Sequence, residues 1–218
     1  MLQIFKDCSA IITDSHIVYT SGRHGAVYIN KDAVYPYTKK IQELCEIIAT
    51  HFYYPVGSFI KVVDIEVVVA PAIGGVILSQ WVADHLTYLK GRQVFSVYAE
   101  KIGDKNFIIK RGYDKLIPGK SVLVVEDILT TGASAKKVVE LTRAIGGNVV
   151  GLGVLCNRGG ITPKDVGDVP ELFALINIEL DSWDEKDCPL CEQKIPINTD
   201  VGKGREFLKR KFLAREVK

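Results

Sequence analysis

The chain has 218 residues, of which 47% are hydrophobic and 25% charged, a composition typical of globular rather than disordered proteins. Its 28 basic and 26 acidic residues are well mixed and leave a net charge of +2, so we expect no general attraction to nucleic acid or to an anionic membrane. No apolar stretch approaches the roughly 20 residues that cross a bilayer, and the first residues do not resemble a secretory signal. We therefore expect a cytoplasmic protein with one main core and a small appendage.

The amino-terminal part of the chain predicts this appendage. Apolar side chains recur at helical spacing over residues 2 to 13, which predicts an opening helix. Two short apolar runs, at 16 to 20 and 26 to 30, flank a glycine-containing turn and predict an antiparallel β-hairpin. A helical period then runs from Pro36 to about Tyr54, with the proline suited to a first helical turn.

The rest of the chain alternates strand-like and helix-like segments, which is typical of a parallel sheet with crossover helices. The twenty or so residues between 99 and 121 are charged and contain glycines, and such a length predicts a lid or binding loop. We divide the chain into a helix and hairpin at 1–35, an α/β core at 36–180, and a tail at 181–218 with a basic terminal helix. Strands are predicted at 65–70, 93–99, 121–127, 148–156 and 172–180, and helices at 74–86 and 134–146.

Residues 122 to 134 carry the strongest chemical signal, with the sequence VLVVEDILTTGAS. Four apolar residues predict a buried strand, and Glu126 and Asp127 stand at its carboxyl end, where ligands bind in open α/β sheets. Backbone N–H groups of the following loop can converge on a phosphate, assisted by hydroxyls and the helix dipole. The two carboxylates would then lie where they can accept hydrogen bonds from the vicinal diol of a ribose. The loop consists of Thr130, Thr131, Gly132, Ala133 and Ser134, without the Lys of a nucleoside triphosphatase loop.

This run resembles the thirteen-residue phosphoribosyl pyrophosphate motif of type I phosphoribosyltransferases. The resemblance implies that family's fold, an α/β fold with a mostly parallel central sheet flanked by helices, a small amino-terminal hood and a mobile loop. It implies that Glu126 and Asp127 are catalytic and that phosphoribosyl pyrophosphate contacts them, Ile128, Leu129 and the loop at 130–134. Magnesium is the implied cofactor, held mainly by substrate oxygens and waters, so we expect no protein metal site for it.

Two further elements resemble orotate phosphoribosyltransferases. The hairpin SGRHGAVYIN resembles their SGR-x4-Y-x-N element, and CNRGG at 156 to 160 resembles their late Arg-bearing loop. The resemblance implies that Arg158 contacts the carboxylate of orotate, that Tyr28 and Ile29 pack on the pyrimidine, and that Thr130 also contacts the base. The implied reaction forms orotidine 5′-monophosphate in pyrimidine biosynthesis. A phosphoribosyltransferase for another base and a non-catalytic sensor of phosphoribosyl pyrophosphate remain alternatives.

The segment APAIGGVIL at 70 to 78 resembles the family's pyrophosphate-binding turn. The resemblance implies that Ala72 and Gly74 contact the pyrophosphate, and glycines at 74 and 75 permit unusual backbone angles. Many orotate enzymes carry one Lys before the SGR element and another in this turn, whereas this chain has Thr20 and Gly74 there. The cationic contacts to the pyrophosphate would then come from elsewhere.

The long loop can supply them. Its sequence FIIKRG resembles the mobile hood of a subset of the family, which implies that Lys101 and Arg111 are catalytic and that Lys101, Lys105 and Arg111 contact the pyrophosphate. Of these, the planar guanidinium of Arg111 is the expected principal contact because it can engage two phosphate oxygens at once. Related hoods reach the neighbouring subunit, which implies a homodimer with shared active sites.

The five cysteines predict no disulfide framework. Cys8, Cys45 and Cys156 lie in apolar contexts typical of buried, reduced thiols. Cys188 and Cys191 form one CxxC, which supplies two thiolates where a structural zinc site usually has four ligands. Because the sequence holds no second CxxC, we favour a tight, proline-containing turn and leave a zinc site open.

Overall fold

A computed structural model describes residues 2–54, 64–103 and 106–216. The chain divides into two compact units. One runs from Tyr37 to Ile178, and the other combines Leu2–Pro36 with Glu179–Lys218, so the two terminal segments that the sequence suggested as separate parts belong to one unit. Within the described ranges, no helix has the length and apolarity needed to span a membrane.

The amino-terminal segment differs from its predicted secondary structure. It contains α1 (Leu2–Asp7), β1 (Ile11–Ile12), β2 (Ile17–Val18), β3 (His24–Gly25) and β4 (Tyr28–Ile29). The predicted helix over 2 to 13 is therefore wrong beyond α1. The chain turns at Ser9, whose φ is +52°, and the β-branched isoleucines of β1 then favour a strand.

The predicted hairpin is present with different partners. β2 pairs antiparallel with β3 across the SGR turn, while β4 pairs antiparallel with β1. The prediction that residues 26 to 30 form the second strand of the hairpin is therefore wrong, because β3 is the strand that pairs with β2. A strand that begins at His24 leaves a turn short enough to connect it directly to β2.

The larger unit contains a six-stranded sheet in the order β10-β9-β8-β5-β6-β7. Five strands are parallel, and β7 is antiparallel to β6 at one edge. The predicted α/β class with a mostly parallel sheet is therefore confirmed. The elements are α2 (Thr38–Tyr53), β5 (Val67–Pro71), α3 (Val76–Lys90), β6 (Phe95–Ile102), β7 (Asn106–Ile108), β8 (Ser121–Leu129), α4 (Ala133–Ala144), β9 (Asn148–Asn157) and β10 (Leu172–Asn177).

Both faces of this sheet are covered, as the near-continuous apolar strands predict. On one face, Val122 and Val124 of β8 belong to a core cluster with Val138 and Val139 of α4. On the other, α2 packs so closely on β9 that a Cβ at Gly151 would lie 2.4 Å from Phe52. The two buried faces fix β8 in the sheet, and with it the loop that follows.

The predicted loop between 99 and 121 is partly wrong. β6 continues to Ile102 and forms an antiparallel ribbon with β7. Ile109 is 6% exposed and joins the core, with Phe107 packed against it, so these apolar side chains anchor the segment to the sheet. Lys105, a predicted pyrophosphate contact, lies outside the described residues.

The carboxyl-terminal tail pairs with the amino-terminal hairpin inside the smaller unit. His24 and Trp183 exchange two backbone hydrogen bonds of 2.8 Å, and the amide of Asn198 donates to the carbonyl of His16 at 2.8 Å. The tail contains a short helix, α5 (Pro189–Glu192), and the predicted terminal helix, α6 (Gly204–Glu216).

Candidate active site

The loop after β8 forms a cradle at the carboxyl edge of the sheet. β8 ends at Leu129 and α4 begins at Ala133, so a short turn connects the strand to the helix. Gly132 precedes the helix with φ +70°, a conformation that glycine adopts without strain. Residues 126–135 line a cavity of about 210 Å³. The first amides of α4 lack partners within the helix and can donate to an anion.

Glu126 and Asp127 lie at the entrance to this cradle with only 6% and 7% of their surfaces exposed. Each carboxylate accepts a local backbone hydrogen bond. The amide of Asp127 donates to Glu126 Oε1 at 3.1 Å, and the amide of Ile128 donates to Asp127 Oδ1 at 2.6 Å. These bonds fix the two adjacent carboxylates close to the end of β8, which extends two residues beyond the predicted strand. Their contact with a ribose stays a prediction.

Arg158 lies directly beside the cradle. Its Nε donates to Thr130 Oγ1 at 2.9 Å, and its backbone amide donates to the carbonyl of Leu129 at 2.9 Å. The predicted base-contact residues Arg158 and Thr130 are thus brought together at the ends of two adjacent strands. A guanidinium held there can bind a planar carboxylate through two parallel hydrogen bonds.

Sequence reasoning missed the residue that shapes the Arg158 loop. Asn157 is 5% exposed, and its side chain donates to the carbonyl of Ile161 at 2.8 Å and accepts from the amide of Ile161 at 3.0 Å. The sequence held one signal for this role, an Asn at the end of an apolar strand, because Asn side chains often form hydrogen bonds with nearby backbone groups.

The predicted pyrophosphate turn follows β5, which neighbours β8 in the sheet, so it opens at the same edge as the cradle. The peptide bond between Ala72 and Ile73 is cis, and the amide of Ala72 donates to the carbonyl of Ala99 at 2.8 Å. Gly74 continues the turn. The expectation of unusual backbone angles is wrong at Gly75, where φ is −81°. Glycine is needed there for space, because a Cβ would lie 2.7 Å from the Cβ of Ala70.

Two of the predicted cationic contacts lie on or beside the ribbon. Lys101 is exposed on β6, and Arg111 adopts a φ of +63° just after β7. Arg111 Nε donates to Glu100 Oε1 at 2.6 Å, and Lys110 Nζ lies 3.7 Å from Glu100 Oε2. The hydrogen bond from Arg111 lowers the pKa of Glu100 below its ordinary value. The contact between Arg111 and Glu100 was not predicted, although the sequence shows Glu100 as an acidic residue beside the lysines of this segment.

The remaining predicted base contacts belong to the smaller unit. Tyr28 and Ile29 form β4, where Ile29 is 2% exposed and Tyr28 is partly buried. Thr20 lies in the turn between β2 and β3.

A parallel sheet with a cavity and adjacent carboxylates near its carboxyl edge is the usual arrangement of α/β proteins that bind nucleotides and sugar phosphates. Residues 39–187 match the phosphoribosyl transferase domain, and the chain belongs to that family. The family assignment made from the motif at 122 to 134 is confirmed.

Curated relatives and solved structures agree with this assignment. An orotate phosphoribosyltransferase of Thermotoga maritima is 35% identical over 206 residues, which cover 94% of this chain and 99% of the relative. One from Caldicellulosiruptor bescii is 33% identical, covering 90% and 93%. The solved orotate phosphoribosyltransferase of Aeropyrum pernix has a TM-score of 0.59 at 22% identity, covering 81% of this chain and 93% of that one. The adenine phosphoribosyltransferase of Thermoanaerobacter pseudethanolicus scores 0.56 at 19% identity, covering 82% and 100%. The structural likeness therefore indicates the fold, and both sequence relatives are orotate enzymes.

Proposed function

We propose that the protein is an orotate phosphoribosyltransferase, which converts orotate and phosphoribosyl pyrophosphate to orotidine 5′-monophosphate and pyrophosphate in pyrimidine biosynthesis. The observation that carries the proposal is the position of Arg158. Its hydrogen bond to Thr130 holds a guanidinium, the group best suited to a planar carboxylate, beside the phosphate cradle. The orotate enzymes among the sequence relatives support the same base.

The proposed reaction is a displacement at the anomeric carbon of the ribose. A ring nitrogen of orotate forms the new C–N bond while the C–O bond to pyrophosphate breaks, and the bonding electrons leave with the pyrophosphate. Such a step needs no covalent nucleophile from the protein. It needs the two substrates to be positioned, the developing charge to be stabilised, and water to be excluded.

The described residues supply these requirements in separate places. The loop at 130–134 binds the 5′-phosphate through amides and hydroxyls. Glu126 and Asp127 accept hydrogen bonds from the ribose hydroxyls and fix the sugar. Arg158 binds the orotate carboxylate and, through it, orients the ring nitrogen towards the anomeric carbon.

Magnesium is part of the proposal. The acidic groups beside the cradle are two adjacent carboxylates, and magnesium binds through one or two carboxylates together with substrate oxygens and waters. The ion would rest mainly on ribose and pyrophosphate oxygens, where it neutralises charge on the leaving group. This arrangement is consistent with a site that has few protein ligands.

The proposal also includes a cytoplasmic homodimer with shared active sites. In each active site, Arg111 is the principal contact to the pyrophosphate, and Lys101 and Lys105 contribute less. These contacts would offset the absence of lysines at positions 20 and 74. The ribbon that carries Lys101 is anchored to the core by Ile109.

A substrate panel tests the proposal. The purified protein is incubated with phosphoribosyl pyrophosphate, magnesium and either orotate, uracil, adenine or hypoxanthine, and pyrophosphate release is measured. We expect release with orotate and product of the mass of orotidine 5′-monophosphate. Release with another base alone would assign a different phosphoribosyltransferase, and binding of phosphoribosyl pyrophosphate without release would indicate a sensor.

A further inference from the structure

Four side chains in the smaller unit have no part in the proposed reaction and lie together. They are His16, His24, Cys188 and Cys191, and one nitrogen or sulfur atom from each lies within 4.8 Å of the other three. Three of these residues are buried and Cys191 is partly buried. Two imidazoles and two thiols that converge in a protein interior form a donor set suited to a metal ion.

The nitrogen-to-sulfur distances match the edges of a small tetrahedron. His16 Nε2 lies 3.7 Å from Cys188 Sγ and 3.6 Å from Cys191 Sγ, and His24 Nδ1 lies 3.3 Å from Cys191 Sγ. With Zn–N bonds of about 2.0 Å and Zn–S bonds of about 2.3 Å, tetrahedral angles give N···S separations of about 3.5 Å. The two histidine nitrogens are 2.8 Å apart, so an ion would need to separate them by about 0.5 Å.

The hairpin explains why the two histidines meet. His24 of β3 lies directly opposite Val18 of β2, and His16 precedes Val18 by two residues. Side chains two residues apart on a strand share a face, so His16 and His24 are diagonal neighbours on one face. The backbone hydrogen bonds of both histidines to the tail fix them further.

The CPLC segment brings the two sulfurs to the same place. Cys188 immediately precedes α5, and Cys191 lies within that helix. A single helical turn therefore presents both thiols on one side. Where the sequence suggested a tight turn that contains a proline, the structure has one turn of α-helix that begins at Pro189. The sequence holds no second CxxC, and the other two members of the cluster are histidines that are distant from the cysteines in sequence.

The hydrogen bonds of the histidines favour a cation between them. His16 Nδ1 lies 2.7 Å from the carbonyl of Ile195 and donates to it as an N–H, which leaves the lone pair of Nε2 directed at the cluster. His24 Nε2 is buried without a hydrogen-bond partner among the described residues. A cation bound by Nε2 of His16 and Nδ1 of His24 would use both facing lone pairs.

We propose that His16, His24, Cys188 and Cys191 form a structural zinc site. Two sulfur and two nitrogen ligands in tetrahedral positions select zinc over magnesium or calcium, which prefer oxygen. Four protein ligands leave no open position for substrate, so the site is structural. The ion joins the hairpin to the tail within one unit and thereby orders the SGR turn between the two histidines. This inference does not depend on the identity of the base.

Metal content of the full-length wild-type protein provides the first test. The protein is purified with reductant, dialysed against buffer without metal, and analysed by mass spectrometry for metals. We expect about one zinc ion per chain, and a lower melting temperature after removal by a strong chelator. After exchange with cobalt, we expect thiolate-to-cobalt charge-transfer absorption together with the visible bands of tetrahedral coordination.

Substitutions assign the ion to these residues. Cys191→Ser and His24→Asn should each reduce zinc content and weaken the cobalt charge-transfer band or shift its position. Cys8→Ser is the matched control, because Cys8 is another buried cysteine of the same unit outside the cluster, and it should retain the zinc. If a variant fails to fold, the wild-type stoichiometry and cobalt spectrum still decide the question. A wild-type protein that binds no zinc or cobalt, or that carries a Cys188–Cys191 disulfide in the presence of reductant, would overturn the proposal, as would ligand variants with unchanged metal content.

Discussion

The side chain of Arg158 donates a hydrogen bond from Nε to Thr130 Oγ1 at 2.9 Å, which joins the loop after β9 to the loop after β8. The first loop carries the proposed carboxylate receptor and the second carries the proposed phosphate cradle. Because the two loops follow adjacent parallel strands, this bond and the bond from the Arg158 amide to the Leu129 carbonyl together fix the distance between the two loops.

Replacing Arg158 should weaken orotate binding selectively. Arg158→Ala removes charge-assisted hydrogen bonds of about 1.5–3 kcal/mol, so the KM for orotate should rise by about 10- to 150-fold. The KM for phosphoribosyl pyrophosphate should change little. Steady-state kinetics with each substrate varied separately makes the comparison. Arg92→Ala is the control, since Arg92 pairs with Asp64 on the surface. Equal losses for both substrates, or none, would remove Arg158 as the base-recognition residue.

Gly159 provides a steric test of the same contact. A Cβ at this position would lie 1.9 Å from the carbonyl oxygen of Thr130, so Gly159→Ala must push the two loops apart. We expect a higher KM for orotate, with a loss of stability of about 1–3 kcal/mol. In the neighbouring Gly160→Ala, an added Cβ meets nothing within 4 Å and only the φ of +61° opposes the side chain. A smaller effect on orotate KM at 159 than at 160 would contradict the proposed role of the contact.

Asp127→Asn tests the ribose contact. The substitution preserves shape but removes a charged acceptor from a position that is 7% exposed. The kcat/KM for phosphoribosyl pyrophosphate should fall by about 10- to 150-fold, the scale of one charge-assisted hydrogen bond. Thermal unfolding should show that the loss of stability is much smaller than the loss of catalytic efficiency. Asp64→Asn is the control on the protein surface. Unchanged kinetics in the folded variant would exclude Asp127 from the site.

The segment from β8 to α4 was predictable because its signals are local. Apolar residues, two carboxylates, a glycine and a helix start follow one another within residues 122 to 134, and the structure places the strand and helix boundaries within about two residues of those predicted. The strand, loop and helix that form the candidate phosphate-binding segment could therefore be inferred from the sequence alone.

Non-local contacts explain what the sequence did not predict. The opening helix stops at Asp7 because Ile11 and Ile12 pair with β4, and helical spacing cannot reveal that partner. The histidine and cysteine cluster joins residues from opposite ends of the chain. The ribbon at β7 was hidden within a charged segment, where only Phe107 and Ile109 mark the strand that packs on the core.

Arg111 should be the main cationic contribution to turnover. Arg111→Ala should reduce kcat by on the order of a hundredfold, the scale for loss of one preorganised charge-stabilising donor. Lys101→Ala should cost less, because an ammonium cannot engage two phosphate oxygens in a fixed geometry. The kcat values of the two single variants, each compared with that of the wild-type protein, give the comparison. A larger loss from Lys101→Ala would contradict the assignment.

Mixing subunits locates the action of Arg111. If the proposed dimer shares its active sites, a heterodimer of Arg111→Ala and Asp127→Asn subunits regenerates one intact site. About half of the wild-type activity per heterodimer should then return. With heterodimers confirmed by native mass spectrometry, no recovery would show that the ribbon serves its own subunit or has no catalytic part.

The ratio of kcat/KM for orotate to that for uracil tests the central claim most directly, since the two bases differ by the carboxylate that Arg158 is proposed to bind. A site built around this carboxylate should favour orotate by at least about a hundredfold, and Arg158→Ala should reduce that preference. A wild-type protein that uses uracil as well as orotate, or that uses neither while turning over a purine base, would contradict the account.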